Sequence, residues 1–305
     1  MSTNPFNVPI LFLIFNRPDT TKIVFNRIKE LKPACLFISA DGPRPDKINE
    51  KENCTLARSI INDIDWPCEI KTNFSDSNLG CKKGVSSGIN WFFSNVEEGI
   101  ILEDDCLPDI SFFNFCRVLL EKYRHDTRIM HIGGVNLQDG KVRGKASYYF
   151  SKINHVWGWA TWKRAWDKFD VNISSFKYLL DEDYLGNLFP DKTVKKYWQK
   201  RYNSVYSNKV DTWDHQWHYT TMINNGLSII PNINLVSNIG FGKEATHTIQ
   251  GFHPLSNINV KSINNIIHPS FIIPNYTADT YSFKKYFNPN KLIKLKLWLY
   301  LFLKK

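Results

Sequence analysis

The chain has 305 residues, 43% of them hydrophobic and 14% aromatic, with 39 Lys and Arg against 29 Asp and Glu and a formal net charge of +10. That content supplies a sizeable core for one large domain or two intimate ones, and it excludes a disordered, collagen-like or repeat chain. The charge excess is local: Asp279 is the last acid, and the seven lysines after it, Lys284, Lys285, Lys291, Lys294, Lys296, Lys304 and Lys305, leave 32 basic against 29 acidic residues elsewhere. So nearly balanced a body argues against nucleic acid as a partner.

Six cysteines, Cys35, Cys54, Cys68, Cys81, Cys106 and Cys116, show neither a C-x-x-C pair nor zinc-type spacing. They read as reduced thiols of a cytoplasmic protein. Residues 1–8 carry no basic region, and the apolar run Val8–Phe15 ends at Asn16-Arg17-Pro18 without a small-residue cleavage site, so no signal peptide is expected.

In chain order, Val8–Phe15 reads as a buried strand, followed by a helix after Pro18 that carries Ile23, Phe25, Ile28 and Leu31. Cys35–Ala40 is a second strand, ending in the loop Asp41-Gly42-Pro43-Arg44-Pro45. A helix over 46–63, a strand near Cys68–Thr72, a loop at Asn78-Leu79-Gly80, a helix over 82–95 and a strand Gly99–Leu102 complete a β-α-β-α-β-α-β series. The pattern predicts an α/β fold with a mostly parallel, Rossmann-like sheet and helices on both faces, whose ligands bind at the carboxyl ends of the strands.

Two of those ends carry acids. Asp41 follows the second strand, and Glu103, Asp104 and Asp105 follow the fourth. Adjacent carboxylates at a buried strand end repel each other unless a cation or hydrogen-bond donors compensate them. Hard oxygen ligands of this kind suit Mn²⁺ or Mg²⁺ carrying substrate phosphates. The competing reading is an acid cluster at the start of a helix near Asp109, but the three acids precede Pro108 and lie early for a cap. No G-x-G-x-x-G or G-x-x-x-x-G-K-[ST] follows a predicted strand, so phosphates would be held by metal and side chains. The candidate cations are Arg17 and, in the turn opening the third helix, Lys82 or Lys83.

The second half is rich in Trp and helices. Residues 155–166 hold Trp157, Trp159, Trp162 and Trp166, and the near-helical spacing of Trp157, Trp162 and Trp166 reads as core. Trp159 and Trp213 are the candidates for ligand contact. Asp211-Thr212-Trp213-Asp214-His215 opens a predicted helix running to Asn225-Gly226. Either acid can be its cap or a general base near Trp213, and the two can divide the roles. After a strand-like Ile229–Val236, the glycine-punctuated stretch 238–250 reads as a lid with His247 and Thr248 as reaching groups. The tail over 291–305 alternates Lys with Leu, Ile, Trp, Tyr and Phe. It is too short to span a bilayer and suits lying on an anionic one, as for a peripheral protein on the cytoplasmic face of a membrane.

Ile100–Phe113, with its Ile-Ile-Leu-Glu-Asp-Asp, resembles the metal motif and following helix of GT-A glycosyltransferases of the N-acetylglucosaminyltransferase I type. Pro9–Arg17, Ile38–Asp41, Gly158-Trp159, Trp213-Asp214 and Pro231–Gly242 are similar to further segments of that family in the same order, and the whole resembles bacterial sugar transferases of surface-polysaccharide clusters. The resemblance covers roughly residues 8–250. It implies Asp105 as a direct Mn²⁺ ligand, Glu103 and Asp104 toward ribose and sugar, Asp41 toward uracil, Arg17 toward the nucleotide or diphosphate, and Asp214 as base. Lys83, Trp159, Trp213 and His247 complete the expected nucleotide-sugar site. His215 stands where the family has a second acid, and residues 170–210 match nothing, so the acceptor stays open.

The expectation is therefore a metal-dependent, inverting transferase moving a sugar from a nucleotide sugar, a UDP-sugar, to a glycan or lipid-linked acceptor. Residues 1–150 would be the nucleotide-sugar half, 151–283 the acceptor half of the same continuous domain, and 284–305 the basic tail. One alternative is a sugar-nucleotide pyrophosphorylase, which wants a Gly-rich basic signature that Asn16-Arg17-Pro18-Asp19 does not supply. The other is a non-catalytic glycan-binding protein, favoured by the Trp density alone.

Overall fold

The computed structural model describes residues 5–241, 255 and 258–289. β1 (Ile10–Ile14) is five apolar residues, all buried, as a strand covered on both faces must be. α1 (Pro18–Leu31) begins with proline at its first position, buries Thr21, Val24, Phe25 and Ile28, and stops where Lys32 turns left-handed at φ 53°. β2 (Cys35–Ala40) follows, and then an irregular stretch held by Glu50, which accepts from the Arg44 backbone and from the Asn16 side chain. α2 (Glu50–Arg58) therefore starts later than the sequence pattern suggests, after a left-handed Asn49, and ends in a 3₁₀ turn over Ser59–Asp63.

β3 (Glu69–Phe74), α3 (Gly80–Phe93) and β4 (Glu98–Glu103) complete the alternating series. They are followed by the short β5 (Cys106–Pro108), α4 (Ile110–Tyr123), β6 (Ile129–Gly133), β7 (Tyr148–Ser151) and β8 (Trp159–Trp162). A helical region then holds α5 (Lys163–Trp166), α6 (Phe176–Asp181), α7 (Tyr184–Leu188), α8 (Lys192–Tyr206) and α9 (Asp214–Ile223). Last come β9 (Leu227–Pro231), β10 (Val236–Asn238), α10 (Tyr276–Ser282) and a π-helical turn over Phe283–Phe287.

The fold is mixed α/β. Eight strands form one sheet in the order β3-β2-β1-β4-β8-β6-β9-β7, with β3, β2, β1 and β4 parallel. β8 runs antiparallel between β4 and β6, β9 is parallel to β6, and β7 closes the edge antiparallel to β9. The chain moves outward from β1 to β3 and then returns to place β4 on the other side of β1. That reversal puts a crevice beyond the carboxyl ends of β1 and β4, where open α/β sheets bind ligands.

Two departures from the sequence pattern have clear causes. Residues 159–162 are strand and not helix: Trp159 and Trp162 fall on opposite faces, Trp162 packing with Ile100 and Ile132 and Trp159 with Trp213 and Trp217. The predicted strand Ile229–Val236 divides into β9 and β10, because after Pro231 the chain leaves the main sheet to pair with β5. Residue 150, where the two expected halves of the continuous domain meet, lies inside β7, and one sheet crosses both halves. The start of the expected tail is also built into the body, since Lys285 and Tyr286 both donate to Asp139.

The six cysteines are free thiols. Among the described residues no helix is long and apolar enough to cross a membrane.

Asp109 caps α4, accepting from the Ser111 backbone N–H at 2.9 Å, and Ser262 donates to its other oxygen. Burial acts to raise its pKa, but the Ser111 and Ser262 hydrogen bonds outweigh this and hold it below the usual carboxylate range. Its stabilisation is therefore present above the unfolded carboxylate pKa and lost as pH falls through the folded one. Asp109→Ala should cost about 1–2 kcal/mol at pH 7 by denaturant unfolding, a difference that shrinks in acid.

Candidate active site

The crevice encloses about 610 Å³ between the ends of β1, β2 and β4 on one side and residues 211–214, Trp157 and Phe241 on the other. That volume suits a nucleotide-sized ligand. The register pairs Leu13 with Glu103, so the residues just after β1 meet the acids just after β4. Arg17 is the residue before α1, and its guanidinium bridges two carboxylates, Nη2 to Asp104 Oδ1 at 2.5 Å and Nη1 to Asp105 Oδ2 at 2.9 Å. The Phe15 backbone N–H donates to the other oxygen of Asp104 at 3.1 Å, so Asp104 is buried with both oxygens engaged.

Glu103 accepts no hydrogen bond from any described residue. Burial, then the charges of Asp105 and Asp104, push its pKa upward. Burial also raises Asp104, with Arg17 pulling it back. Burial opposes the charge on Arg17, and the carboxylates raise its pKa in return. Among the described residues one arginine thus faces three adjacent acids.

Does the divalent cation implied by the resemblance fit these residues? No group of three His, Cys, Asp or Glu among the described residues is arranged to hold a metal by itself. Asp105 lines the crevice with its side chain 15% exposed, and among the described residues its Oδ1 is approached only by the Cys106 thiol, at 3.3 Å. Beside it lies the unengaged Glu103. Hard oxygen donors with free lone pairs, next to uncompensated negative charge, fit a cation whose remaining ligands are phosphate oxygens and water. They do not fit a cation caged by protein.

Asp41 and Asp211 do something the sequence does not reveal. Asp41 accepts from the backbone N–H groups of Gly42, Leu79 and Gly80 and from the Asn78 amide, at 2.8–3.1 Å. Asp211 accepts from the next two N–H groups, those of Cys81 and Lys82, both at 2.9 Å. Four consecutive N–H groups that open α3 are therefore divided between two carboxylates, one from each half of the chain. Gly80 permits this with φ +79° and no side chain, as a Cβ would lie 2.6 Å from Asp211 Oδ2. Burial raises the pKa of Asp41 and these hydrogen bonds partly reverse it. Asp211 thus caps α3, and the residue preceding α9 is Trp213.

Asp214 opens α9 on the opposite wall, its side chain 38% exposed. Thr212 donates to Oδ1, and His215 Nδ1 lies 3.4 Å from Oδ2. Burial would raise its pKa, but the His215 and Thr212 interactions outweigh this and hold it well below the usual carboxylate range.

The remaining candidates separate. Trp213 lines the crevice. Trp159 is fully buried behind it, stacked on Trp213 at 5.7 Å and on His131 at 5.1 Å, and it supports the wall without reaching the ligand space. Trp157, read from its spacing as core, is the indole that faces the crevice, edge-on to Phe241 at 5.5 Å. Lys83 is exposed on α3 and does not line the crevice, and Lys82 donates to Asn208. His247 lies outside the described residues, as does most of the predicted lid. Where that segment begins, Gly240 packs on the ion pair, since a Cβ there would sit 2.3 Å from Asp105 Oδ2 and 2.6 Å from Arg17 Nη1. Phe15, Arg44, Asn78, Cys81 and Thr212 also line the crevice, and no motif marks them in the sequence. Their positions next to Arg17, Asp41 and Asp214 are the one signal the sequence offers for them.

No family model matches the chain, and no curated protein does. Solved structures with partial likeness include HddC from Yersinia pseudotuberculosis (9% identity, 52% of this chain and 77% of that one, TM-score 0.32) and mouse xyloside xylosyltransferase 1 in its apo form (11%, 71% and 81%, 0.34). A UDP-glucose pyrophosphorylase complexed with UDP-glucose is another (13%, 47% and 61%, 0.28). None of these likenesses reaches the level at which a shared activity follows.

Asp211→Ala strands the Cys81 and Lys82 N–H groups. It should lower stability by about 1–2 kcal/mol at pH 7, with Asp211→Asn intermediate, measured by denaturant unfolding.

Proposed function

We propose that this protein is a metal-dependent glycosyltransferase that moves a sugar from a nucleotide sugar, a UDP-sugar, to a hydroxyl of a glycan or lipid-linked acceptor in surface-polysaccharide synthesis, with inversion at the anomeric carbon. The observation that carries the reading is the pairing of two unlike walls across one crevice. An acid cluster with Arg17 lies at the strand ends, and a separate, partly exposed carboxylate, Asp214, faces it.

Asp105, with Glu103 beside it, would hold Mn²⁺ or Mg²⁺ together with the donor diphosphate, and the cation when bound would neutralise charge developing on the leaving nucleotide. Arg17 adds a fixed positive charge at the same place. Asp41 braces the loop over 78–80, whose Asn78 and backbone form the wall nearest the end of β2, where the nucleotide base is expected. Trp157 offers an aromatic face to a sugar, and the buried Trp213 backs the same wall.

Asp214 takes the proton of the acceptor hydroxyl as that oxygen bonds to the anomeric carbon. A low pKa keeps it ionised, and the hydroxyl becomes acidic enough to surrender its proton as the new bond forms. With the base on the wall opposite the diphosphate, attack comes from the face away from the leaving group. The basic tail and a lipid-linked acceptor together suit a peripheral protein at an anionic membrane surface.

Asp214→Asn should lower transfer by about 10²-fold or more while UDP-sugar binding by calorimetry is retained; undiminished turnover removes Asp214 from the role. In Asp105→Asn, Mn²⁺ should no longer tighten UDP binding, and an enhancement equal to the parent's contradicts the metal assignment. Assaying nucleotide sugar with pyrophosphate separates the alternative, since release of nucleoside triphosphate would make the protein a pyrophosphorylase.

A further inference from the structure

After β10 the described chain resumes at 258 and runs as an extended strap along the free edge of β7. Ser147 N–H donates to Ile267 O at 2.8 Å, Ile267 N–H to Ser147 Oγ at 2.8 Å, and Asn275 N–H to Phe150 O at 2.7 Å. The strap sorts its apolar side chains. Ile263, Ile266 and Ile272 pack against the core, while Ile267, Phe271, Ile273 and Tyr276 turn outward at 59%, 73%, 65% and 66% exposure. These are four of the fourteen exposed large hydrophobics among the described residues, gathered in ten positions while the others are scattered. A strap needed only to cover a sheet edge would carry polar residues there.

The described strap, 258–289, carries three lysines, Lys261, Lys284 and Lys285, and a single acid, Asp279. Asp279 is turned inward, accepting from Ser151 Oγ at 2.5 Å and from the Lys152 N–H at 2.9 Å, so the outer surface of the strap over 258–289 carries no carboxylate. Next to it the loop over 139–146 presents Lys141, Lys145 and a 62% exposed Val142. Asp139, the acid at the base of that loop, is taken up by Tyr281, Tyr286 and Lys285. The same contacts anchor the turn from which the lysine-and-aromatic segment 291–305 continues.

We infer that the outer face of the strap, Ile267, Phe271, Ile273 and Tyr276 with Val142 and the flanking lysines Lys141 and Lys145, is a membrane-contact surface for anionic lipid. Apolar and aromatic tips enter the headgroup boundary while lysines remain at the level of the phosphates. The proposal extends the membrane-surface part of the proposed function from the tail to the folded body. A body docked on this face would hold the crevice at a fixed attitude to the bilayer, which a tail alone does not do.

The test is co-sedimentation of the full chain with phosphatidylcholine vesicles with and without phosphatidylglycerol, a measurement independent of catalysis and nucleotide binding. The parent should bind the anionic vesicles in a salt-sensitive manner. Phe271→Asp/Ile273→Asp should weaken that binding at least about tenfold, with near-ultraviolet dichroism and Mn²⁺-dependent UDP binding kept. Lys141→Glu/Lys145→Glu, which probes the same face through charge, should also weaken it. Parent-level binding by both variants, equal binding to neutral vesicles, or no binding by the parent overturns the proposal. So does self-association of the parent that Phe271→Asp/Ile273→Asp abolishes, which would make a second copy the occupant. Loss of UDP binding by the parent, with vesicle binding intact, would count against the proposed function and leave this surface standing.

Discussion

The ion cluster joining the ends of β1 and β4 is the constraint to which the rest of the site answers. Three successive carboxylates leave a buried strand where water is scarce, and the described structure sets against them one guanidinium and one backbone N–H. Removing the cation from such an arrangement leaves buried charge unpaired, the costly half of any buried ion pair. The β1–β4 register is thereby fixed, since a slip by one residue would turn Arg17 and the Phe15 N–H away from Asp104. Asp105 is fixed a second time through its backbone, as the Ile239 N–H donates to its carbonyl at 2.8 Å where β10 has paired with β5. Gly240 then lies against the pair with no room for a side chain. The first residues after β10 and the Arg17 side of the crevice are therefore one packed unit.

The opening of α3 shows the complementary choice. A helix N-terminus with free N–H groups is a ready site for phosphate. Here those groups are consumed by Asp41 and Asp211, which places negative charge where an anionic ligand would otherwise bind. An anionic ligand would be left with the Arg17 side of the crevice, and no glycine-rich phosphate loop follows any of the predicted strands. Because Asp211 comes from the second half of the chain and lies three residues before Asp214, the same carboxylate that closes α3 also sets the distance between the two walls.

Legibility followed the length scale of the signal. The alternating apolar runs and helical patterns over residues 8–102 gave the strands and their order of appearance, because a buried parallel strand is written as a continuous local run. The acids at strand ends were visible for the same reason. Trp159 and Trp157 exchanged roles, since which indole faces a crevice depends on the strand twist and on Trp213 stacking behind the wall, neither of which is local. Asp211 looked like the cap of the helix that follows it and instead caps one 130 positions earlier. Composition placed the positive charge in the tail, but only the fold shows that Asp279 turns inward and leaves the strap without a surface acid.

The two walls of the crevice hold carboxylates in opposite states. Glu103 is driven toward its neutral form by burial and by two like charges, whereas Asp214, close by across the space, is kept ionised by Thr212 and His215. Titratable groups whose environments push them apart are the usual mark of divided labour in an active site. The raised group is the one that welcomes a positive partner, because added positive charge relieves the repulsion that raised it. The lowered group needs no such partner, being already supplied with donors, and its partial exposure leaves it open to an incoming hydroxyl. His215 belongs to this second arrangement. An acid there would repel Asp214 and raise its pKa, whereas the imidazole lies within reach of Oδ2 and holds it down. The imidazole at position 215 and the lowered pKa of Asp214 are thus one fact, and the crevice has one wall of mutually repelling acids and a facing carboxylate already supplied with donors.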